Sequence, residues 1–127
     1  MLKTQIAGYV MSGLVVAFML FDGIIKLIPM NIVMKTQEEL GYGSSAGLAR
    51  TLGLVGLTCT LLYAFPRTSV LGAVLMTGYM GGAMATHLRV GNPLFTHILF
   101  GAYIAILAWA GLYLRDPQLR TLLPLRP

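Results

Sequence analysis

Asp22 and Lys26 stand four residues apart in an apolar run, so a helix places both on one face, where carboxylate and ammonium pair directly. Such a pair has two uses. It is a structural ion pair with Lys26 extending its stem toward the interface, or a site where Asp22 moves a proton and Lys26 holds a ligand oxygen. His87 and His97 are the only histidines. Imidazoles exchange protons near neutral pH or hydrogen-bond between helices. A pair on adjacent spans also has the donors for haem, or for a metal shared with Asp22, Glu38 or Glu39. No H-x-x-x-H or haem-attachment motif accompanies them, which argues against haem or a stably bound metal, and no metal ligand is assigned. Arg50 and Arg89 suit lipid phosphates, or an anionic group or reacting oxygen in a pocket. By residue type, Asp22, Lys26 and His87 are candidate catalytic groups. Arg50, Thr86, Arg89, Asn92 and His97 are candidate substrate-binding groups.

These residues need elements to hold them. The chain has 127 residues, 57% hydrophobic and only 10% charged, with a mean hydropathy of +0.78. Soluble domains carry about a quarter charged residues, so a water-soluble globule is excluded. At roughly 20 residues per crossing, the length allows four spans. Apolar runs place them at about 6–29, 46–65, 69–88 and 93–114, in a single domain covering 1–127. The first run is read as a span rather than a signal peptide, because no A-x-A-like site follows it and it contains Asp22 and Lys26. Ser44 and Ser45 offer caps for the second span, Pro66 closes it, and Pro93 suits the first turn of the fourth. Residues 30–42 have roughly helical apolar spacing before Gly41, which predicts a short interfacial helix. Without period-2 alternation a barrel is excluded, and the expected fold is an all-α integral membrane four-helix bundle. Nine basic residues against four acidic ones are too scattered for nucleic acid. The lone Cys59 excludes an internal disulfide and a C-x-x-C pair, and reads as packing, as do the eight methionines.

Alternating helix directions bring Asp22, Lys26, Arg50, Thr86, His87, Arg89, Asn92 and His97 into one half of the bilayer. The other half carries no comparable set. Ionisable groups are costly in hydrocarbon, so they should face inward and pair. The expectation is a polar pocket covered by 30–42 and opening away from the termini. Lys3, Arg67, Arg115, Arg120 and Arg126 lie on the terminal side, with Tyr9, Tyr63, Trp109 and Tyr113 as an aromatic belt. That bias predicts cytoplasmic termini. Gly78 and Gly82 form a G-x-x-x-G pair, and Ala49 with Gly53 and Gly101 with Ala105 repeat the small spacing; these are read mainly as packing within the bundle, with a homo-oligomer contact through Gly78 and Gly82 as the alternative.

Phe21-x-Gly23-x-x-Lys26-Leu27 resembles the G-x-x-K-L segment that ends the first helix of DoxX-like membrane proteins. The run Gly78-Tyr79-Met80-Gly81-Gly82-Ala83-Met84-Ala85-Thr86-His87-Leu88-Arg89 resembles the third-helix signature of their smaller branch, and Trp109 to Asp116 is similar to its ending. The resemblance implies a four-helix bundle in the bilayer, by expectation a bacterial inner membrane. Such proteins are associated with quinone-linked sulfur oxidation and membrane oxidative-stress complexes, and distant relatives with receptor assembly. It therefore implies a redox-associated subunit, working with a membrane redox partner, that binds a quinone or similar lipophilic carbonyl compound. In that reading Lys26 and Arg50 polarise an oxygen while His87, with Asp22, relays the proton. Two alternatives stay open: an acid–base enzyme of isomerase or epoxide-opening type on a lipophilic substrate, and a non-enzymatic assembly factor or structural partner.

Overall fold

Each long helix runs until the sequence supplies a breaker or a cap. In the computed structural model, which describes residues 2–28, 30–43 and 45–125, the elements are α1 (Leu2–Leu27), α2 (Asn31–Glu39), α3 (Ala46–Ala64), α4 (Ser69–Arg89), α5 (Phe100–Arg115) and α6 (Pro117–Arg120). Among the described residues no strand occurs. Pro29, Ser44 and Arg126, which the sequence reading used as a helix end, a cap and a terminal charge, lie outside the described residues. Ser45 caps α3, its hydroxyl accepting from the Leu48 amide at 3.3 Å. Asp116 caps α6 in the same way through the Gln118 amide at 3.0 Å.

The α3–α4 corner shows how a short connection satisfies its backbone. Pro66 cannot continue α3 and holds Phe65 extended. The last carbonyls of α3 then lack helical partners. Thr68 donates to the Leu62 carbonyl at 2.7 Å, and Ser69 donates to those of Tyr63 and Phe65 at 2.8 and 3.0 Å.

The fourth span differs from its expected form. It opens as a widened π turn over Leu94–Ile98 before α5 begins at Phe100. The Ile98 amide reaches the Pro93 carbonyl at 3.2 Å and Leu99 reaches Leu94 at 2.9 Å, while the Tyr103 hydroxyl donates to the Phe95 carbonyl at 2.9 Å. Proline alone does not announce this; Tyr103, whose hydroxyl donates to Phe95, lies eight residues downstream of it.

α1 packs on α3 and α5, and α4 packs on the same two, so α1 and α4 face each other across the diagonal of a four-helix bundle. With the fourth counted from Leu94 through its π turn to Arg115, all four are long and apolar enough to cross a membrane, yet only 22–33% of the most apolar stretch of each is buried within the protein. The outward faces, including Leu14, Phe21, Leu61 and Ile106, are exposed and apolar. Water is a poor solvent for that surface, so the chain is an integral, multi-pass protein of the lipid bilayer. The core is Val15, Met19, Cys59, Tyr63, Met76, Leu112 and their neighbours, and Leu119 of α6 joins it.

Close helix approach falls on glycines that the small-residue spacing only partly indicates. A Cβ on Gly53 would lie 2.9 Å from the Gly23 carbonyl oxygen, and one on Gly101 would lie 2.9 Å from that of Met80. Gly8 and Gly111 bring α1 against α5, where a Cβ on Gly8 would lie 2.7 Å from the Gly111 carbonyl. Gly78 and Gly82, expected to pack within the bundle, have nothing within 4 Å of a Cβ and are exposed. Their face of α4 is not packed against a neighbouring helix, an outcome that spacing alone does not set.

Tyr63 is another correction. It is fully buried, not part of a belt. Its hydroxyl donates to the Ala108 carbonyl at 2.7 Å and pairs with the Ser12 hydroxyl at 2.8 Å, which also accepts from Arg115 Nε at 3.2 Å. The Arg115 guanidinium lies over the Tyr9 and Tyr63 rings. This half of the bundle therefore has a polar network of its own, joining α1, α3 and α5. Tyr63→Phe is expected to cost roughly 1–3 kcal/mol by removing both hydroxyl bonds from a dry site, read as a lower unfolding midpoint in detergent with the helix content retained.

Candidate functional site

At the opposite end of the bundle a cavity of about 590 Å³ lies among α1, α2, α3 and α4. α1 contributes Asp22, Ile25 and Lys26, and α3 contributes Ala49 and Leu52. α4 contributes Gly78, Tyr79, Gly82, Ala83, Thr86 and His87, while α2 and its following turn supply Ile32, Val33, Thr36, Gln37, Leu40 and Tyr42. The wall is mostly aliphatic, with a few polar groups at defined points, the usual makeup of a small-molecule site.

The polar centre sits on the diagonal. Lys26 Nζ donates to Asp22 Oδ2 at 2.8 Å and to the Tyr79 hydroxyl at 3.0 Å, so one ammonium ties α1 to α4. Lys26 and Asp22 share a face of α1 because they are one turn apart. Tyr79 was not singled out from sequence, although it lies seven residues before Thr86 and so on the same face of α4. Among the described residues three groups here have no partner: the Tyr79 hydroxyl proton, the third Lys26 proton and Asp22 Oδ1. All belong to residues lining the cavity.

The covering segment is clasped rather than loose. Gln37, buried on the inner face of α2, donates through Nε2 to the Gly43 and Ser45 carbonyls at 3.2 and 2.9 Å. Thr86 donates to the Gly82 carbonyl at 2.9 Å, so the 2.7 Å bond between Tyr42 and Thr86 is donated by Tyr42. Arg89 Nη2 donates to the Leu40 carbonyl at 2.8 Å. The turn there needs Gly41, whose φ of +85° is left-handed.

The sequence-derived candidates therefore separate. Asp22, Lys26, Thr86 and His87 line one cavity. Arg89 lies outside the lining and pins the α2 turn. Asn92 also lies behind the wall, its side chain 2.6 Å from His87 Nδ1. His97 packs edge-on against His87, ring centroids 5.7 Å apart, and its Nδ1 meets the Thr96 hydroxyl at 2.7 Å. Arg50 is exposed and does not line the cavity. No hydrogen bond joins His87 to Asp22 among the described residues. His87 lies eight residues beyond Tyr79, roughly 12 Å along the helix, so a direct relay between them is not formed. Among the described residues no three His, Cys, Asp or Glu side chains converge as a metal site.

Compared with protein-family models, residues 10–111 match the family described as DoxX-like. That stretch includes every cavity-lining residue and ends before Arg115 and α6. No curated protein and no solved structure matches the chain.

Proposed function

The chain belongs to the DoxX-like family, and on that premise we propose that its cavity binds a quinone or similar lipophilic carbonyl compound, as part of a redox-associated membrane protein. The observation that carries this reading is the set of unpartnered groups at Lys26, Tyr79 and Asp22. Two free donors beside an aliphatic wall suit an acceptor-only oxygen, as on a carbonyl. The free Asp22 Oδ1 suits the same oxygen when it carries a proton, as on a hydroquinone. One site then accommodates both members of a quinone–hydroquinone pair, with electrons exchanged by a membrane redox partner and protons by groups such as Asp22. Thr86 and His87 meet the ligand's other end, and Arg89 and Asn92 act by holding the cover and His87. The family resemblance supplies the redox direction; the cavity supports the carbonyl. The excess of Lys3, Arg67, Arg115 and Arg120 at the terminal end supports cytoplasmic termini in a bacterial inner membrane, with the cavity in the outer leaflet.

The test is native mass spectrometry and absorbance on gently solubilised protein, wild type beside Tyr79→Phe, loaded with decyl-substituted dimethoxymethylbenzoquinone. Loss of one hydroxyl donor is expected to weaken retention about tenfold, with a modest fall in the unfolding midpoint because Lys26 keeps only Asp22 as its partner. Equal retention by both proteins counts against the site. An empty wild-type protein that co-purifies with another membrane protein turns the reading to assembly.

A further inference from the structure

Gly78 and Gly82 line the cavity, and they lie on the same stripe of α4 as Leu71 and Leu75, which do not line it and are exposed on the outside of the bundle. A cavity wall that runs on into outer surface marks an opening. A Cβ on either glycine would meet nothing within 4 Å, so no neighbouring helix is packed against that stretch. Its depth identifies what lies outside. Gly82 and Gly78 are seven and eleven residues before Arg89, hence roughly 10 and 16 Å below the outer end of α4. At that depth the surroundings are acyl chains rather than headgroups or water. At the water-facing end, by contrast, the Tyr42–Thr86 and Arg89–Leu40 bonds tie the covering turn to α4.

The same face continues down α4. Leu71, Leu75, Gly78 and Gly82 follow at spacings of four, three and four, one stripe of the helix, and both leucines are exposed. Tyr79, adjoining Gly78, carries the polar anchor across to Lys26. Head-group donors inside the cavity, an opening beside them and an apolar track beyond it define one ligand shape. Resting on the reading of the cavity as a carbonyl site, we infer that its ligand carries a long apolar tail, which leaves between the head-group site and the lipid across Gly78 and Gly82 and lies along Leu75 and Leu71. The glycines set specificity for tailed over tail-less molecules and let the ligand enter sideways from the bilayer.

The test compares decyl-substituted dimethoxymethylbenzoquinone with its tail-less parent, bound to protein in lipid nanodiscs. The variants are Gly78→Leu/Gly82→Leu and, as control, Gly13→Leu, which likewise has open space around its Cβ but does not line the cavity. The ratio of tailed to tail-less affinity is expected to fall about tenfold in the double variant and to keep its wild-type value in the control. An unchanged ratio overturns the inference, whether both affinities fall together or neither does. If the double leucine variant misfolds, Gly78→Ala/Gly82→Ala adds only two methyl groups to open space and is expected to lower the ratio severalfold; no drop there overturns the inference too. A wild-type dimer that the double variant splits, with the ratio unchanged, reassigns the stripe to a contact between copies. Wild-type protein that binds neither quinone removes the carbonyl reading itself, whereas binding of both with equal strength removes only the tail.

Discussion

Gly72→Ala is expected to lower the unfolding midpoint of the protein in detergent sharply, while Gly78→Ala, six residues along the same helix, is expected to raise it. The chemistry added is identical, one methyl group. At Gly72 that methyl would be driven into the Tyr63 backbone and 2.7 Å from the Leu62 carbonyl carbon. These are main-chain atoms of the last turn of α3, already fixed by the Thr68 and Ser69 hydroxyls. A flexible side chain swings away from an intruding methyl; this backbone has no such freedom. Overpacking then costs roughly 3 kcal/mol, a large share of a typical domain's stability. It also displaces Tyr63, whose hydroxyl connects α3 to α1 and α5. At Gly78 the methyl meets open space, and replacing glycine within a helix gains up to about 1 kcal/mol. Size-exclusion profiles and thermal unfolding of the two variants check the sign at each position. A Gly72→Ala protein with the wild-type midpoint would show that α4 does not pack on α3 as closely as the structure places it.

The contrast also marks the boundary of what the sequence discloses. Four apolar runs of bilayer length specify four helices, because hydrocarbon leaves backbone groups no partner outside the helix. The gathering of Asp22, Lys26, Thr86 and His87 toward one end is legible for a related reason: alternating helix direction turns sequence position into depth. What depth leaves open is azimuth. Gly72 and Gly78 look alike in sequence, and only the rotation of α4 decides that one touches α3 while the other meets open space. Arg50 and Arg89 lie toward the same end of the bundle as Lys26, yet neither lines the cavity; Arg89 instead bonds the Leu40 carbonyl. Tyr79 reads as one more apolar-helix aromatic until α1 is seen across the diagonal. Ser12 and Arg115 are 103 positions apart, and no local pattern links them. The polar network they form with Tyr63 is a product of tertiary packing alone.

Asp22→Ala is expected to destabilise the protein by roughly 3 kcal/mol, and adding Lys26→Met is expected to restore most of that loss. The pair is only 2.8 Å apart, with side chains 23% and 25% exposed in a membrane-spanning region. Removing the carboxylate leaves an ammonium with the Tyr79 hydroxyl as its remaining partner. Breaking a buried pair costs far more than deleting it whole, because the penalty is the uncompensated charge. Stability alone therefore cannot distinguish a structural pair from a binding site, since the double variant folds in either case. The distinction lies in the quinone. If the pair only braces α1 against α4, the Asp22→Ala/Lys26→Met protein retains decyl-substituted quinone as wild type does. If the pair is the head-group site, the double variant regains its unfolding midpoint but loses retention by tenfold or more, since a thioether offers no proton to a carbonyl oxygen. Recovery of fold without recovery of binding is the expected outcome. It separates the two roles because Tyr79, left in place, still marks the cavity wall and supplies its own hydroxyl to whatever the site retains.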